Sequence, residues 1–551
     1  MRVLPGLTRH NVVRESASGI TLLAIAVPLN IGYAQIAGLP PTAGLYALVL
    51  PAVAFALIAS SRQLIVSPDA AAAALVVSSI GGLAMAGSDD YLTLALAQAL
   101  IGGVMFLVCA FLGLGFLANF LSEPILIGFV GGLALDILVS QIAKMLGIDI
   151  DSGAEFVTKV VELVTGLGTT NPWSLALAAG ATAILVFGRR LARRVPWALV
   201  VLIVGTAAVV LFDLEENDVK VLGAVQAGAP VLTWPSLSWS EWISLVPSAA
   251  ALTLVAIAEG LLVSRKYGQK HGYPTNPNRD LLGFGVANLA SGFTGGFTVG
   301  SSTSRTAAVD QLGSRTQMPA LVAAAGTLLL LIFGTALLEE IPSPVIGAVV
   351  AVAVLPLVGA RELAALWRER RFEFAVAAVC FLGTLLLGPI TGILIAFVLS
   401  LLNLALRAAN PPVDLLSTND IPDGSLLPLQ HDQYLTAPGV VVVRFAAPLF
   451  FANASVFDGA VRKAVDGGKP LGLRHLVLDC EAITDVDVTG AKSFREIADW
   501  LESEGVELHL SRVRPDLFVV LKRFDLLGEL RVHGTNRQAI ADLQRDPEEP
   551  V

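Results

Sequence analysis

The chain has few charged residues and few cysteines for its length. Only 15% of its 551 residues are Asp, Glu, Lys or Arg, whereas about a quarter are charged in an ordinary soluble domain. The three cysteines lie far apart and show no metal-ligand spacing, which excludes a disulfide-stapled secreted fold. The net charge of −9 gives no reason to expect nucleic acid as a partner.

Apolar side chains are abundant, at 55% of the chain, and they are unevenly distributed. Residues 1–410 contain 45 charged side chains, whereas the last 141 residues contain 36. This contrast predicts a polytopic α-helical membrane domain followed by a smaller soluble domain. We expect the membrane domain at 1–410, a Pro- and Gly-containing linker at 411–437, the soluble domain at 438–545 and a tail at 546–551.

The membrane domain divides into fourteen segments when it is compared with the roughly 20 apolar residues that cross a bilayer. The segments centre near 20–39, 43–60, 67–85, 92–112, 124–143, 173–188, 196–212, 245–264, 281–293, 301–312, 318–338, 344–358, 373–387 and 389–408. With the N-terminus inside, the cytoplasmic loops collect 18 Lys and Arg and the opposite loops three. Positive loops face the cytoplasm, so we expect a multi-pass protein of the cell (inner) membrane with both termini cytoplasmic.

Two segments that lie seven apart are interrupted at matching positions. Segment 3 opens with Ser67-Pro68-Asp69, and segment 10 opens with the stretch 295–305, which contains three glycines and a Ser/Thr cluster. Fourteen spans divide as seven plus seven, and inverted repeats of odd length place a substrate site between discontinuous helices at mid-membrane. Helix N-termini carry free N–H groups and partial positive charge. We therefore expect the two interrupted segments to meet and form a site for a small anion.

The residues at and around these two breaks are the candidates for binding the anion. They are Tyr33, Asp69, Ala70, Gly300, Ser301, Ser302, Thr303, Ser304 and Arg305. Arg305 is the only Lys or Arg within a predicted span, where burying a charge costs at least about 3 kcal/mol. A structural arginine paired with a carboxylate or with helix carbonyls is the alternative. Tyr33 and Gln35 follow Pro28 in segment 1 and are candidates to line the cavity, although aromatic residues in apolar helices usually serve packing.

Carboxylates inside the predicted spans are candidates for coupling transport to protons. Glu259 lies in segment 8 with no basic residue within one helical turn. Burial disfavours the charged form of a carboxyl group, so Glu259 is expected to carry a proton. A hydrogen-bonded structural glutamate is the alternative. Asp69 either caps the segment 3 helix or assists in coupling by being protonated while the anion is bound. Asp136 and Asp310 are expected to be structural or interfacial.

Two motifs resemble those of the SulP anion transporters, the sulfate permease family. Segment 1 contains Ala26-Val27-Pro28, then Tyr33-Ala34, then Ala37-Gly38-Leu39-Pro40-Pro41, and segment 10 contains Ser302-Thr303-Ser304-Arg305-Thr306. The chain departs from the family pattern at Leu29-Asn30, where Gln-Gly is common, and at Ser67-Pro68-Asp69, where Gly-Pro is common. By this match Ser302, Ser304 and Arg305 take anion-binding positions, Tyr33 is a cavity aromatic, and Glu259 is the family's span 8 glutamate.

The resemblance also implies an architecture and a transport mode. Spans 1–4 and 8–11 would form a core domain, and spans 5–7 and 12–14 a gate domain, with elevator-like movement of core against gate in a homodimer. Sodium-coupled relatives have a second carboxylate one turn after the glutamate, where this chain has Val263. H⁺ is therefore the expected coupling ion in preference to Na⁺, and no cofactor and no metal are expected.

The soluble domain resembles a STAS domain. Residues 440–444, 475–479 and 506–510 are predicted strands, and 491–504 and 515–523 are predicted helices, which together indicate a small α/β layer. The run from Asp479 to Gly490 resembles the loop-to-helix motif of STAS domains, with Thr489 at their phosphorylated serine. A plain helix N-cap is the favoured alternative to a phosphosite. Dimer contact, trafficking or regulation through a cytoplasmic protein partner is the expected role.

These features together predict a secondary active transporter of a small anion of the sulfate, bicarbonate or dicarboxylate type. Proton-coupled symport by an elevator-like mechanism is the expected mode. An uncoupled anion exchanger or a channel-like conductor is the alternative, and a STAS-linked membrane scaffold or receptor is a remote one. A nucleobase symporter would lack the STAS tail and the Ser-Arg pair. An enzyme is not expected, because the spans contain no nucleophile–base or metal-ligand constellation.

Overall fold

The computed structural model describes residues 4–119, 123–151, 154–192, 195–417, 427–428 and 434–544. The chain divides into two compact units, Met1–Ser400 and Leu401–Val551. The first unit is built from helices with one two-stranded ribbon, and the second is an α/β unit. The tail predicted at 546–551 and most of the linker predicted at 411–437 lie outside the described residues.

The helices of the first unit range from single turns to one rod of 33 residues. They are α1 (Val12–Ile36), α2 (Pro41–Tyr46), α3 (Leu50–Ile58), α4 (Ala70–Ile80), α5 (Asp89–Phe111), α6 (Glu123–Leu146), α7 (Phe156–Thr165), α8 (Pro172–Leu191), α9 (Trp197–Leu211), α10 (Trp239–His271), α11 (Pro277–Phe293), α12 (Thr303–Gln311), α13 (Met318–Phe333), α14 (Ala336–Glu339), α15 (Ser343–Val354), α16 (Ala360–Glu369), α17 (Arg371–Leu387) and α18 (Pro389–Ala409). The ribbon strands are β1 (Val66–Ser67) and β2 (Gly300–Ser301).

The helices agree with a polytopic membrane protein. Among the described residues, seven helices or continuous helix pairs are long and apolar enough to cross a bilayer, and a bent pair at 156–188 makes eight. Three shorter apolar helices, α4, α9 and α13, also match predicted segments. Each of the fourteen predicted segments overlaps a helix, so the predicted number of spans is consistent with the structure.

The helices of this unit pack closely against one another. Helix α5 runs against α11, and a Cβ placed on Gly103 would lie 2.9 Å from the backbone nitrogen of Leu289. No side chain fits in that gap without displacement, so glycine is required for the two backbones to approach. Small residues at helix contacts are typical of membrane proteins, where van der Waals packing drives association.

The second unit contains one six-stranded sheet covered on both faces. Its strands are β3 (Val413–Ser417), β4 (Leu427–Pro428), β5 (Val440–Phe445), β6 (His475–Asp479), β7 (Glu507–Ser511) and β8 (Arg531–His533), and its helices are α19 (Ala454–Gly468), α20 (Val488–Ser503), α21 (Pro515–Arg523) and α22 (Asn536–Gln544). The strand order is β4-β3-β5-β6-β7-β8, with β5 to β8 parallel.

The sequence explains this sheet. Strand β5 is an unbroken apolar run from Val440 to Val443, as expected for a parallel strand buried on both faces. Helices α19, α20 and α21 contribute to the apolar core on one face, and α22 contributes to a smaller cluster on the other. The predicted strands and helices of this domain are confirmed to within a few residues.

Candidate functional site

The two interrupted segments meet at a short ribbon. Strand β1 pairs antiparallel with β2, with Val66 opposite Ser301 and Ser67 opposite Gly300. The Ser302 N–H extends the ribbon by donating to the Ile65 carbonyl at 2.9 Å. Because α4 begins three residues after β1 and α12 begins two residues after β2, both half-helices start beside this ribbon. The predicted meeting of the two breaks is confirmed.

Each half-helix has a side-chain cap at its N-terminus. The Asp69 carboxylate accepts from the Ala72 N–H at 2.7 Å, and the Ser302 hydroxyl accepts from the Arg305 N–H at 3.4 Å. Asp69 is therefore a helix cap, which was one of its two predicted roles. The positive ends of two helix dipoles, each equivalent to about half a unit charge, lie on either side of the ribbon.

A cavity of about 70 Å³ lies at this meeting point. Most of the predicted site residues line it, namely Tyr33, Asp69, Ala70, Glu259, Ser301, Ser302, Thr303 and Ser304. The space admits several water molecules or one small anion. Gly300 and Arg305 do not line this cavity, and Gly300 instead faces an adjoining cleft of about 10 Å³ that Asp69 and Glu259 also line.

The remaining lining of the cavity was missed by the sequence analysis. It consists of Ala71 on α4, of Val130, Leu133 and Ala134 on α6, and of Leu357 just beyond α15. Helix α6 corresponds to predicted segment 5, and Leu357 falls at the end of segment 12. Both were assigned to the gate domain. These side chains are apolar and sit in apolar helices, so their sequence carries no signal of a site.

Arg305 lies behind the cavity rather than in its wall. The side chain is 1% exposed. Its Nε donates to the Ser302 hydroxyl at 2.7 Å, and its two terminal nitrogens donate to Asn30 Oδ1 and to the Pro68 carbonyl. The guanidinium therefore ties α1, the segment leading into α4 and its own helix together. Its positive charge remains close to the cavity, because the Tyr33 ring centroid lies 5.8 Å away.

Asn30 is the side chain on α1 that accepts a hydrogen bond from Arg305. It is fully buried, and its amide nitrogen donates to the Gly44 carbonyl at 3.3 Å while its amide oxygen accepts from Arg305. The sequence offered one indication of this role, since Asn30 is a polar residue within an apolar span and departs from the family motif. Its pairing with Arg305, 275 positions away, is visible only in the fold.

Two buried hydroxyl groups in the ribbon have no hydrogen-bond partner among the described residues. They are the Ser67 hydroxyl on β1 and the Ser301 hydroxyl on β2. Buried polar groups are nearly always paired, so an unpaired donor calls for an explanation. Ser301 lines the cavity whereas Ser67 does not. The Ser301 hydroxyl is therefore available to donate to a bound anion.

Glu259 contributes a carboxylate to the same cavity. It lies on α10, and the structure gives its side chain no hydrogen bond and no ion pair with any described residue. Asp69 shares both the cavity and the adjoining cleft with it. The site thus combines two helix N-termini, the buried and unpaired Ser301 hydroxyl and one nearby guanidinium with two carboxylates. Such a mixture suits binding of an anion together with a proton.

The other candidates in the spans lie elsewhere. Asp136 pairs with Lys159 at 2.9 Å, and Asp310 pairs with Lys270 at 2.6 Å, so both acids are structural, as expected. Gln35 does not line the central cavity, and that interpretation was wrong. The turn from Tyr33 to Gln35 directs Gln35 to a different cavity, where its side-chain oxygen lies 3.4 Å from Lys144 Nζ.

This second cavity is larger, at about 320 Å³. Lys144, Lys220 and Ser343 line it, at the end of the spans opposite the basic loops of the predicted topology. Lys144 lies ten residues beyond Ala134 on α6, which places the two cavities about 15 Å apart along the helix. Lys220 pairs with Asp149, whereas Gln35 is the partner that the structure gives for the Lys144 ammonium. Asp149 lines the cavity as well, so its lining carries two ammonium groups and one carboxylate.

In the second unit, the predicted regulatory residue lies in the first turn of a helix. Asp487 caps α20 by accepting from the Gly490 N–H at 2.7 Å. Thr489 itself is exposed and does not provide the cap. An exposed hydroxyl at a helix N-terminus is compatible with phosphorylation, because the helix dipole favours added negative charge. Phosphorylation of Thr489 stays a prediction.

The fold and the cavity together define a class of protein. Long apolar helices, two opposed half-helices around a small polar cavity and a separate α/β unit characterise a polytopic membrane transporter with an appended STAS domain. Sequence comparison agrees: residues 14–380 match the sulfate permease family and residues 433–539 match the STAS domain. The chain belongs to the sulfate permease family, which is a family of anion transporters and not of enzymes.

Individual relatives extend over nearly the whole chain. A probable sulfate transporter of Mycobacterium tuberculosis is 32% identical over 93% of this chain and 91% of its own length. Murine Solute Carrier 26 family member A9, an anion transporter solved in its inward-facing state, has the same fold with a TM-score of 0.88 at 22% identity, covering 99% of this chain and 94% of its own. The transmembrane domain of a cyanobacterial bicarbonate transporter has a TM-score of 0.61 at 21% identity, covering 72% of this chain and all of its own.

Proposed function

We propose that this chain is a proton-coupled symporter of a small anion, with the anion bound between the N-termini of α4 and α12. The observation that carries the proposal is the position of Glu259. It shares the cavity with both half-helix N-termini and has no basic partner among the described residues. A carboxylate in that position makes anion binding depend on protonation.

The electrostatic argument is direct. Two ionised carboxylates facing a bound anion would repel it, and the repulsion is strong where water is scarce. Protonation of Glu259 removes one negative charge, and protonation of Asp69 would remove the other. The anion then meets two helix N-termini, the Ser301 hydroxyl and the Arg305 charge. Proton and anion therefore bind cooperatively, which is the requirement for symport.

The arrangement of the cavity wall supports an elevator-like movement. One side is built from the half-helix ends and α10, and the other from apolar residues of α6 and Leu357. Apolar side chains make few directional contacts with an anion, so the half-helices can carry it past them as a rigid body. The polar groups that hold the anion would then move together with it.

Sulfate is the first substrate to test. The Mycobacterium tuberculosis relative and several plant relatives are described as sulfate transporters. A structural neighbour is a bicarbonate transporter, so bicarbonate is the second substrate and a dicarboxylate the third. All three are small anions whose oxygens accept hydrogen bonds from helix N-termini and hydroxyl groups.

The decisive experiment is uptake into proteoliposomes with the pH gradient and the voltage set independently, using wild type and Glu259→Gln. We expect an inward proton gradient to accelerate wild-type uptake of labelled sulfate. Glu259→Gln imitates the protonated acid, so we expect it to retain sulfate exchange across the bilayer but to lose most of the acceleration. Acceleration of Glu259→Gln uptake as large as that of wild type would contradict the assigned role.

Glu241→Gln is a matched control on the same helix. Glu241 forms a capping box with Ser238 at the start of α10, and glutamine is compatible with that motif. This variant should keep the response to the pH gradient. If wild type exchanges sulfate with no response to pH, the chain is an uncoupled exchanger, which is the second candidate, and a flux that does not saturate would indicate channel-like conduction.

We also propose a membrane orientation, an oligomeric state and a partner for the protein. We place both termini in the cytoplasm of a cell (inner) membrane protein, because the loops on that side carry 18 Lys and Arg against three. A homodimer, as the family resemblance implies, and a protein partner for the STAS domain complete the proposal. Cross-linking of single cysteines in native membranes tests the dimer, and impermeant labelling of a cysteine near either terminus tests the orientation.

A further inference from the structure

Three ligand-type side chains converge on one face of the sheet in the second unit. In the β6–β7 register, His475 is directly opposite Glu507, and His509 follows two residues later on β7. Side chains alternate along a strand, so Glu507 and His509 point to the same face. Parallel pairing places His475 on that face as well. Two neighbouring strands thus present two imidazoles and one carboxylate to the same point.

The distances within this cluster match those of a metal site. His475 Nδ1 lies 3.3 Å from Glu507 Oε2 and 3.3 Å from His509 Nε2, and the third separation, between His509 Nε2 and Glu507 Oε2, is 3.6 Å. Zinc binds these atoms at about 2.0–2.2 Å, and a tetrahedron with such bonds has edges of roughly 3.3–3.5 Å. The three separations therefore match the edges of one face of a zinc tetrahedron.

Hydrogen bonding alone satisfies this cluster poorly. His475 Nδ1 is equally close to an imidazole nitrogen and to a carboxylate oxygen, and it can hold only one proton. His509 is 96% buried at its side chain, and its other ring nitrogen has no partner among the described residues.

We propose that His475, Glu507 and His509 bind a divalent transition metal ion, with zinc as the best match. Imidazole and carboxylate ligands suit zinc, and three protein ligands leave a fourth position for water. Glu507 is 72% exposed at its side chain, so the site is reachable from solvent. A bound ion would link β6 to β7 and stabilise the sheet. The proposal does not depend on the transport activity.

The test uses the full-length protein in nanodiscs, first stripped of metal with a chelator. Wild type should bind one zinc ion per chain with micromolar or tighter affinity by equilibrium dialysis and elemental analysis. Cobalt in place of zinc should give the strong visible absorption of tetrahedral coordination. Glu507→Gln and His475→Gln should each weaken zinc binding by more than the roughly 10–100-fold that loss of an outer-shell partner costs.

Glu502→Gln is the control, since Glu502 is an exposed carboxylate of the same unit outside the cluster. It should bind zinc as wild type does. Zinc should also raise the unfolding temperature of wild type and of the control, and leave that of Glu507→Gln unchanged. Glu507 is exposed, so its replacement by glutamine tests the ligand without disturbing the core. Binding only at millimolar zinc, or equal binding by Glu507→Gln and wild type, would overturn the proposal.

Discussion

Removing the Ser301 hydroxyl should separate anion binding from folding. Ser301 lies on β2 and lines the central cavity, and its hydroxyl has no hydrogen-bond partner among the described residues. Ser301→Ala therefore removes no side-chain hydrogen bond to any residue that the structure describes. Replacing an unpaired buried hydroxyl is neutral or slightly stabilising. If this hydroxyl donates to the anion, its loss should appear almost entirely in the affinity.

The size of the effect follows from the charge of the acceptor. A hydrogen bond to a charged group contributes about 1.5–3 kcal/mol. Its loss should raise the dissociation constant of the anion roughly 10- to 150-fold. The measurement is binding of labelled sulfate to protein in nanodiscs, or of whichever anion the wild type transports best. Thermal unfolding of the same samples should differ little between variant and wild type.

The ribbon supplies its own control for this prediction. Ser67 on β1 is also buried and unpaired among the described residues, but it does not line the cavity. Ser67→Ala should therefore leave both the affinity and the unfolding temperature near those of wild type. Wild-type affinity in Ser301→Ala would refute the reasoning, and so would an equal loss of affinity in Ser67→Ala, because both hydroxyls would then act through the ribbon.

Two other predictions concern the basic residues. Arg305→Lys keeps the positive charge, but a single ammonium group cannot donate to both Asn30 and the Pro68 carbonyl as the planar guanidinium does. We therefore expect this variant to lose transport as fully as Arg305→Ala and to have a lower unfolding temperature than wild type. Near-normal transport by Arg305→Lys would show that the charge alone suffices. Lys144→Met should raise the KM for anion supplied from the side of the second cavity several-fold with kcat unchanged, whereas Lys220→Met should have little effect, since Lys220 is paired with Asp149. Equal KM values in Lys144→Met and wild type would contradict the expectation that the Lys144 charge attracts the anion into the second cavity.

The local breaks were predictable because they rest on short-range chemistry. Proline before Asp69 and the serine that caps α12 are signals that a helix starts there, whatever the rest of the chain does. The spacing of seven segments between the two breaks then indicated that they would meet. The STAS elements were predictable for a similar reason, since a short apolar run such as 440–443 forms a buried strand in a soluble α/β layer.

Contacts between distant segments were not predictable in the same way. Arg305 was expected to touch the anion, but in this structure each of its three guanidinium nitrogens donates a hydrogen bond to the protein, to Ser302, Asn30 and Pro68. The rest of the cavity wall comes from apolar residues, most of them on α6, which the sequence does not distinguish from other apolar residues of the spans. The histidine cluster was not predicted, because its two imidazoles lie 34 positions apart in the sequence, on neighbouring strands. The sequence therefore shows no short spacing of the kind that indicates metal ligands.

Because carboxylates line the proposed anion site, the proposed coupling predicts in which direction the KM for the anion changes with pH. At low pH Glu259 and Asp69 hold protons, the cavity has its least negative charge, and the anion binds best. Raising the pH ionises them and weakens binding, so the apparent KM for the anion should increase with pH in wild type. Glu259→Gln removes one of the two charges permanently, which leaves only the contribution of Asp69. The KM of that variant should therefore depend less on pH, and an unchanged pH dependence would place the coupling proton on a group outside this cavity.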